Sequence, residues 1–531
     1  MEKTVPSTNS IKIYELIYYI YFLVLFGAKA VGLYDGQTLY NACLVLGVLA
    51  FGAKVLSTRH NLAEYLVMAS ILSVGALTYL CSGEKGLLLY FTMMLGMKSI
   101  NEERVMRIGL WVLGASYFIL YLMAVTGIIP ELNHMNRRTG YGYLLRHSLG
   151  YPYPNTTHTT LLILLILFFY LYKAGSIKQL LKASIIAMLL NLYIYAYTVS
   201  LTGLLSITIY LAVNLYLQAR THRSGLENAL IRLLFPAIVI FSIVGPLLAR
   251  GSVFTFLNKL LHKRYEYALY FLTNEKITLF GSYFKKSPTN WYMLDNSFLY
   301  LFLQLGVIPF AVVCILYLLW IKRLVSENKT RELAIIITFC FIGMSDPFLF
   351  NLSYKNLTFI FLGKWLYDAL TKQADKYPAI LKKEFLILPF GEKELACKPL
   401  FSSKAKSFFT GPFYEIGTHI IKYALIFAII GMIGSVCYSK AVAEPQVLYV
   451  NTKTADPYFK HKNIEMTQEE VDLALAEGNI VEGYNPEDPT MYVFKKKAPH
   501  MEYIRSIISC GLWAGLISVL LISVIRVIRK E

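Results

Sequence analysis

Long apolar blocks recur along almost the whole chain, and they leave few folds open to it. About fourteen stretches approach the ~20 residues a helix needs to cross a ~30 Å hydrocarbon layer. They lie near 12–33, 37–55, 62–81, 86–98, 107–128, 156–172, 179–199, 202–218, 229–249, 296–321, 332–349, 356–371, 419–438 and 504–526. Blocks of this length read as membrane spans, not as amphipathic stripes on a soluble core. Composition agrees: 56% of the 531 residues are hydrophobic and only 16% are charged, whereas a soluble domain carries roughly 25%. The expected fold class is therefore an all-α, polytopic integral membrane protein. The fourth block is short enough for a re-entrant segment. The break at 199–202 is tight enough to belong to one broken helix pair.

The net charge is +18. A basic balance can mark nucleic-acid binding, but in a membrane protein it reflects the Lys and Arg that hold loops in the cytoplasm. No nucleic-acid partner is expected. Alternate loops carry Lys54/Arg59, Lys98/Arg104/Arg107, Lys173/Lys178/Lys182, Arg220/Arg223, Lys322/Arg323/Lys329/Arg331 and the tail Arg526/Arg529/Lys530. The short loops between them, Tyr34–Gln37, Ser200–Thr202 and Ser345–Asn351, carry almost none. Both termini are thus expected in the cytoplasm. Ala28-Lys29-Ala30 has the form of a signal-peptidase site. The Tyr-rich stretch before it is read instead as an uncleaved first span. The seven cysteines are isolated and form no C-x-x-C pair, so no zinc or redox motif is expected.

Two longer loops on the expected outer side break the charge rule. Residues 129–155 hold Arg137, Arg138 and Arg146, and residues 250–295 hold Arg250, Lys259, Lys263, Arg264, Lys276, Lys285 and Lys286. Long loops tolerate such charge; an anionic ligand such as a lipid phosphate would also account for it. The organisation expected is a core over 1–371, a basic cytoplasmic segment over 372–418, and an appended two-span module over 419–531. That module's outer segment covers roughly 440–502. Within it, Thr467–Ala476 reads as a capped helix start.

No Walker loop, G-x-G-x-x-G, H-E-x-x-H or G-x-S-x-G occurs, and no metal-ligand spacing is seen. Polar groups collect instead in four places. Arg146-His147-Ser148-Leu149-Gly150-Tyr151-Pro152-Tyr153-Pro154-Asn155 runs into Thr156, Thr157 and His158. Tyr197–Gly203 carries Thr198, Ser200 and Thr202. Lys263-Arg264-Tyr265-Glu266-Tyr267 is followed by Phe280-Gly281, Asp295-Asn296-Ser297 and Gln304-Leu305-Gly306. The last is Ser345-Asp346-Pro347-Phe348 with Asn351 and Asn356. Each also has a plain structural reading: interfacial snorkelling, helix packing, an N-terminal cap and a turn.

At these places the chain resembles the Wzy-type polysaccharide polymerases of the bacterial O-antigen polymerase and ligase group. The resembling pieces are RHSLGYPYPN (146–155), YTVSLTG (197–203), RYEYAL (264–269) leading to LFG (279–281), LDNSFLYLFLQLG (294–306) and SDPFLFNLSYKN (345–356). The likeness covers about residues 10–370 and lies in the order of the pieces. Tyr153 stands where relatives often have His, and Leu201 where they often have Arg. Residues 372–531 share no residue-level likeness; their span–outer segment–span layout is loosely that of chain-length regulators.

The resemblance implies a GT-C-like, lipid-dependent glycosyltransferase at the outer face of the bacterial plasma membrane. Its substrate would be an oligosaccharide repeat unit on undecaprenyl diphosphate, with membrane lipid, a flippase and a chain-length regulator as partners. A diphosphate leaving group calls for fixed cations, and Arg146, Arg250 and Arg264 are the candidates. The attacking sugar hydroxyl needs a base; His147, Glu266 and Asp295 compete for that role. Asn155, Thr202, Asn296 and Asp346 are candidates for holding sugar. No cofactor or metal is expected. A ligase of the same group, and a lipid-linked oligosaccharide flippase, are the alternatives.

Overall fold

The computed structural model describes residues 10–131, 134–138, 142–220, 222–284, 294–396, 411–412, 414–444, 446–452, 462–466, 469, 491–497 and 500–530. Every apolar block contains a helix. The main ones are α1 (Ile13–Ala30), α2 (Thr38–Leu56), α3 (Leu62–Ser82), α4 (Gly86–Leu95), α5 (Glu102–Val125), α6 (Pro154–Leu171), α7 (Ile177–Thr198), α8 (Leu201–Ala219), α9 (Gly225–Ile243), α10 (Gly251–Leu260), α11 (Arg264–Asn274), α12 (Val307–Ser326), α13 (Thr330–Gly343), α14 (Thr358–Gln373), α15 (Ile420–Ala441) and α16 (His500–Lys530). Among the described residues, 11 helices are long and apolar enough to cross a membrane. The protein is thus a helical, multi-pass membrane protein.

Three apolar blocks form shorter helices: α4 has 10 residues, α13 has 14 and α14 has 16. At 1.5 Å per residue these reach about 15, 21 and 24 Å, less than the ~30 Å hydrocarbon layer. Two of them are closely enclosed. All of α4 except Leu88 is buried, and from Leu333 to Gly343 only Phe341 of α13 is not. A helix apolar all round is one surrounded by protein or lipid, and here protein encloses much of it.

The contacts divide the chain into two units: Ser10–Asn133 with His147–Ala396, and His134–Arg146 with Cys397–Glu531. In the first, residues read as a separate basic segment return to the core. Glu394–Ala396 pairs antiparallel with Ser10–Lys12, and Glu384–Phe385 with His60–Asn61. Leu388 N–H donates to Leu56 O at 2.9 Å. In the second, His134–Arg138 and Gly142–Arg146 form a hairpin. Strand Gln446–Thr452 lies between Lys462–Met466 and Met491–Lys497, antiparallel to both. Helices α15 and α16 approach closely at Gly431, Gly434, Gly511 and Gly515, the small-residue packing that membrane helices favour. The helix start read at 467–476 and the turns near 485–489 lie outside the described residues.

The tenth block is expected as one span over 296–321, yet it is broken. Ser297–Leu299 turns into a wide π turn, Tyr300–Gln304, and the chain restarts as α12 after Gly306. The cause is a backbone crossing. Gly281 (φ 85) and Gly306 (φ 103) lie back to back. Val307 N–H donates to Thr278 O and Ile308 N–H to Leu279 O, both at 3.0 Å. A Cβ on Gly281 would strike the Gln304 carbonyl, and one on Gly306 the Gly281 nitrogen. Gly306→Ala is therefore expected to lower the thermal unfolding midpoint in detergent, since its backbone conformation (φ 103, ψ 167) alone costs a side-chain-bearing residue ~1–3 kcal/mol before the clash is counted. Gly52→Ala, on a helix with nothing within 4 Å, is the control and should leave the midpoint unchanged or raised. Equal behaviour of the two variants would refute the crossing.

Candidate functional site

The crossing fixes the chain between α11 and α12, and two segments distant in sequence meet there. His262 (φ 48) and Lys263 (φ 68) take left-handed conformations and begin α11 directly after α10, which puts Arg264 at the N-terminus of α11. Its Nε donates to Ser345 O at 3.0 Å and its Nη1 to Leu261 O at 3.3 Å. Its Nη2 lies 3.6 Å from Asp295 Oδ2, with the Arg side chain 16% and the Asp 36% exposed.

Asn296 caps the turn that follows. Its Oδ1 accepts from Phe298 N–H and Leu299 N–H, both at 3.0 Å, and its Nδ2 donates to Met344 O at 3.3 Å. Ser297 Oγ donates to Asp346 O at 2.5 Å, and Asp346 Oδ1 accepts from Phe348 N–H at 3.0 Å. The 264, 294–297 and 344–349 stretches are thus bonded into one centre. It contains four of the sequence candidates: Arg264, Asp295, Asn296 and Asp346.

Two carboxylates feel the field of one guanidinium here, and Asp295 alone pairs with it. Burial, and then the Asp295 charge, push the Asp346 carboxyl up to about 6, against the pull of Phe348 N–H, Lys355 and Arg264. Burial also raises Asp295, with Arg264 opposing. Like charges held close resist joint ionisation. Beside them opens a cleft of ≈ 620 Å³, lined by Lys29, Asp35, Glu84, Asp295, Tyr300 and Asn351 among others. Its walls are braced by polar pairs: Gln304 Nε2 donates to Glu84 Oε1 at 2.7 Å, and Lys85 Nζ lies 2.8 Å from Asp35.

Beneath the centre, 344–357 runs irregularly between the two short helices α13 and α14. Irregular backbone in a membrane protein persists where protein or a wet cavity satisfies it. Asn356 Nδ2 donates to Leu349 O at 2.9 Å, and Tyr90 OH accepts from Lys355 N–H at 3.1 Å. Buried Lys355 donates to Thr160 Oγ1 at 2.8 Å, and burial lowers its ammonium to about 8. That bond joins the 345–356 stretch to α6.

The other two stretches form a network of their own. His147 N–H donates to Tyr197 O at 2.9 Å, and His147 Nδ1 lies 2.9 Å from Glu131 Oε2. Burial would raise the Glu131 carboxyl, but the bonds from His147 and Leu149 N–H hold it below its ordinary value. Buried His158 meets Asn191 Oδ1 at 2.7 Å and Thr198 Oγ1 at 3.1 Å, and a Cβ on Gly203 would strike its ring. Val199, β-branched with φ 47, carries the tight connection between α7 and α8, a strained state that a packed surround must hold.

The remaining candidates sit elsewhere. Arg146 ends the hairpin and falls in the smaller unit. Arg250 is exposed at the start of α10 and donates to the neighbouring Ala249 O at 3.0 Å. Glu266 Oε2 accepts from Asn258 Nδ2 at 3.2 Å, which ties α11 to α10. Asn155 is exposed in the first turn of α6. Thr202 lies in the first turn of α8, where its carbonyl accepts from Ser206 at 2.7 Å. His147 stands in the second network. The sequence reading passed over Lys355, Glu84 and Glu131, and noted Gln304 without assigning it a role. Lys355 carried a signal, as a charge in a stretch flanked by apolar helices. No group of three or more His, Cys, Asp or Glu capable of holding a metal ion occurs among the described residues. No protein-family model, curated protein or solved structure matches the chain.

Proposed function

We propose that this protein is a glycosyltransferase that polymerises undecaprenyl-diphosphate-linked oligosaccharide repeat units at the outer face of a bacterial plasma membrane, both termini being cytoplasmic. The observation that carries the reading is the meeting of Arg264, Asp295, Asn296 and Asp346 beside a polar cleft. Those residues come from three of the stretches on which the resemblance rests. Arg264 stabilises the diphosphate as its bond to the sugar breaks. A hydroxyl of the acceptor saccharide attacks the donor's anomeric carbon. The new C–O bond forms as the old one to the diphosphate oxygen breaks, and undecaprenyl diphosphate departs with the electron pair. The hydroxyl proton passes to the Asp295–Asp346 pair, of which Asp295 lines the cleft. Asn296, whose amide bonds to backbone through both its oxygen and its nitrogen, positions Asp295 instead of holding sugar.

Purified protein given lipid-linked repeat units and a chelator should form a ladder of products spaced by one repeat. A ligase would leave the repeat units unextended and pass finished glycan to another acceptor. A flippase would change their sidedness in vesicles without changing their size. Either of those results would replace the polymerase reading.

A further inference from the structure

Helix α10 buries none of its 10 residues, although it sits in the core unit and leads directly to Arg264. Part of one side leans on α11, through the Phe254–Tyr265 ring contact at 6.4 Å and the Asn258–Glu266 bond. A second stripe faces outward: Val253, Phe256 and Leu260 are 57%, 65% and 61% exposed. Their spacing of three and four residues places them on one helix face. Arg250, Lys259 and Lys263 border this stripe, and no ion pair to a carboxylate joins any of them among the described residues. The nearby Glu266 is engaged by Asn258.

Position decides what covers such a face. Helix α9 is apolar enough to cross the membrane, and the chain leaves it at Ile243, with Leu248 still 73% exposed just before α10 begins. The helix therefore starts at the membrane surface. An apolar stripe edged with cations is the pattern of a helix lying in the headgroup layer, with apolar side chains among the acyl chains and cations at the phosphates. A free anion would account for the cations and leave the stripe bare; an anionic phospholipid accounts for both.

We propose that α10 is a binding site for anionic phospholipid. Val253, Phe256 and Leu260 enter the acyl region of the leaflet at this end of the core, and Arg250, Lys259 and Lys263 hold lipid phosphate. The bond from Arg264 Nη1 to Leu261 O and the Asn258–Glu266 tie carry the seating of this helix to the candidate site. The proposal is independent of the reaction assigned to that site, because lipid binding is read without any saccharide.

The test uses the full chain in nanodiscs of phosphatidylcholine with and without phosphatidylglycerol. Native mass spectrometry after gentle extraction should find phosphatidylglycerol retained in preference to phosphatidylcholine. Each cation near an anionic surface contributes roughly fivefold. The triple variant Arg250→Gln, Lys259→Gln, Lys263→Gln should therefore lose that preference by at least about tenfold. Excess inorganic phosphate should leave retention unchanged. Phe256→Trp should add emission that acyl-brominated lipid quenches and aqueous iodide does not; this readout stands even if the triple variant misfolds. Equal preference in parent and triple variant, displacement by inorganic phosphate, or quenching of the added indole emission by iodide alone would each overturn the site.

Discussion

Arg264→Ala is expected to cut polymer formation by about 10²–10³-fold, the usual cost of removing a charge-stabilising group from a transition state, while the protein still accumulates in the membrane. Arg264 is held by two backbone carbonyls, of Ser345 and Leu261, so its fork is aimed before substrate arrives. The third direction of the guanidinium faces Asp295 at 3.6 Å, looser than a tight ion pair, and a diphosphate oxygen can take it up. Arg264→Lys should recover little, because an ammonium cannot reproduce the planar fork. The ladder assay gives the loss, and the thermal unfolding midpoint in detergent checks that the fold survives. Near-normal ladders from Arg264→Ala would remove this residue, and the proposed centre with it.

The second large effect concerns the carboxylate pair. Asp295→Asn should lower turnover by roughly 10²–10⁴-fold, the range for loss of a general base. The pH profile sharpens the test. Both carboxyls are pushed up in the folded protein, with Asp346 at about 6. Asp346 is ionised above that pH, and the pair gains a proton there as pH falls through it. With one proton aboard it accepts a second poorly, so activity should decline on the acid side near pH 6. The limb belongs to the pair and not to either residue. Asp346→Asn removes the like charge that helps to keep the pair's affinity for protons high, and should shift the limb to lower pH. A limb that stays in place in this variant would mean that some other group titrates there.

Much of the fold was legible because lipid imposes a length on apolar blocks. Every block expected as a span contains a helix, and the cap read at Asn296 and the turn at Asp346 are there. What hydropathy alone could not separate was lipid from protein as the apolar surround. Blocks at 86–98, 332–349 and 356–371 look like spans, yet the helices within them are short and largely enclosed by other helices. The break within 296–321 was hidden for another reason: Gly306 signals a turn only in the company of Gly281, and sequence does not say that the two touch. The candidate centre was legible as four residues of ten. Arg264, Asp295, Asn296 and Asp346 could be named, but nothing linear distinguished them from Arg250, which stands on an exposed helix, or from Glu266, which is tied to Asn258. Lys355 and Glu131 went unnamed because each acts through partners, Thr160 and His147, that lie in other stretches of the chain.

The crossing of Gly281 and Gly306 also has a genetic consequence. Any missense change at a glycine codon adds a Cβ, and at these two positions the added atom meets backbone that cannot rotate out of the way. A screen for heat-sensitive loss of the protein should therefore return alleles at both codons. Second-site suppressors of one are expected in the backbone neighbours of the other, at 278–282 or 304–308, so the pair would be inherited as a single constraint.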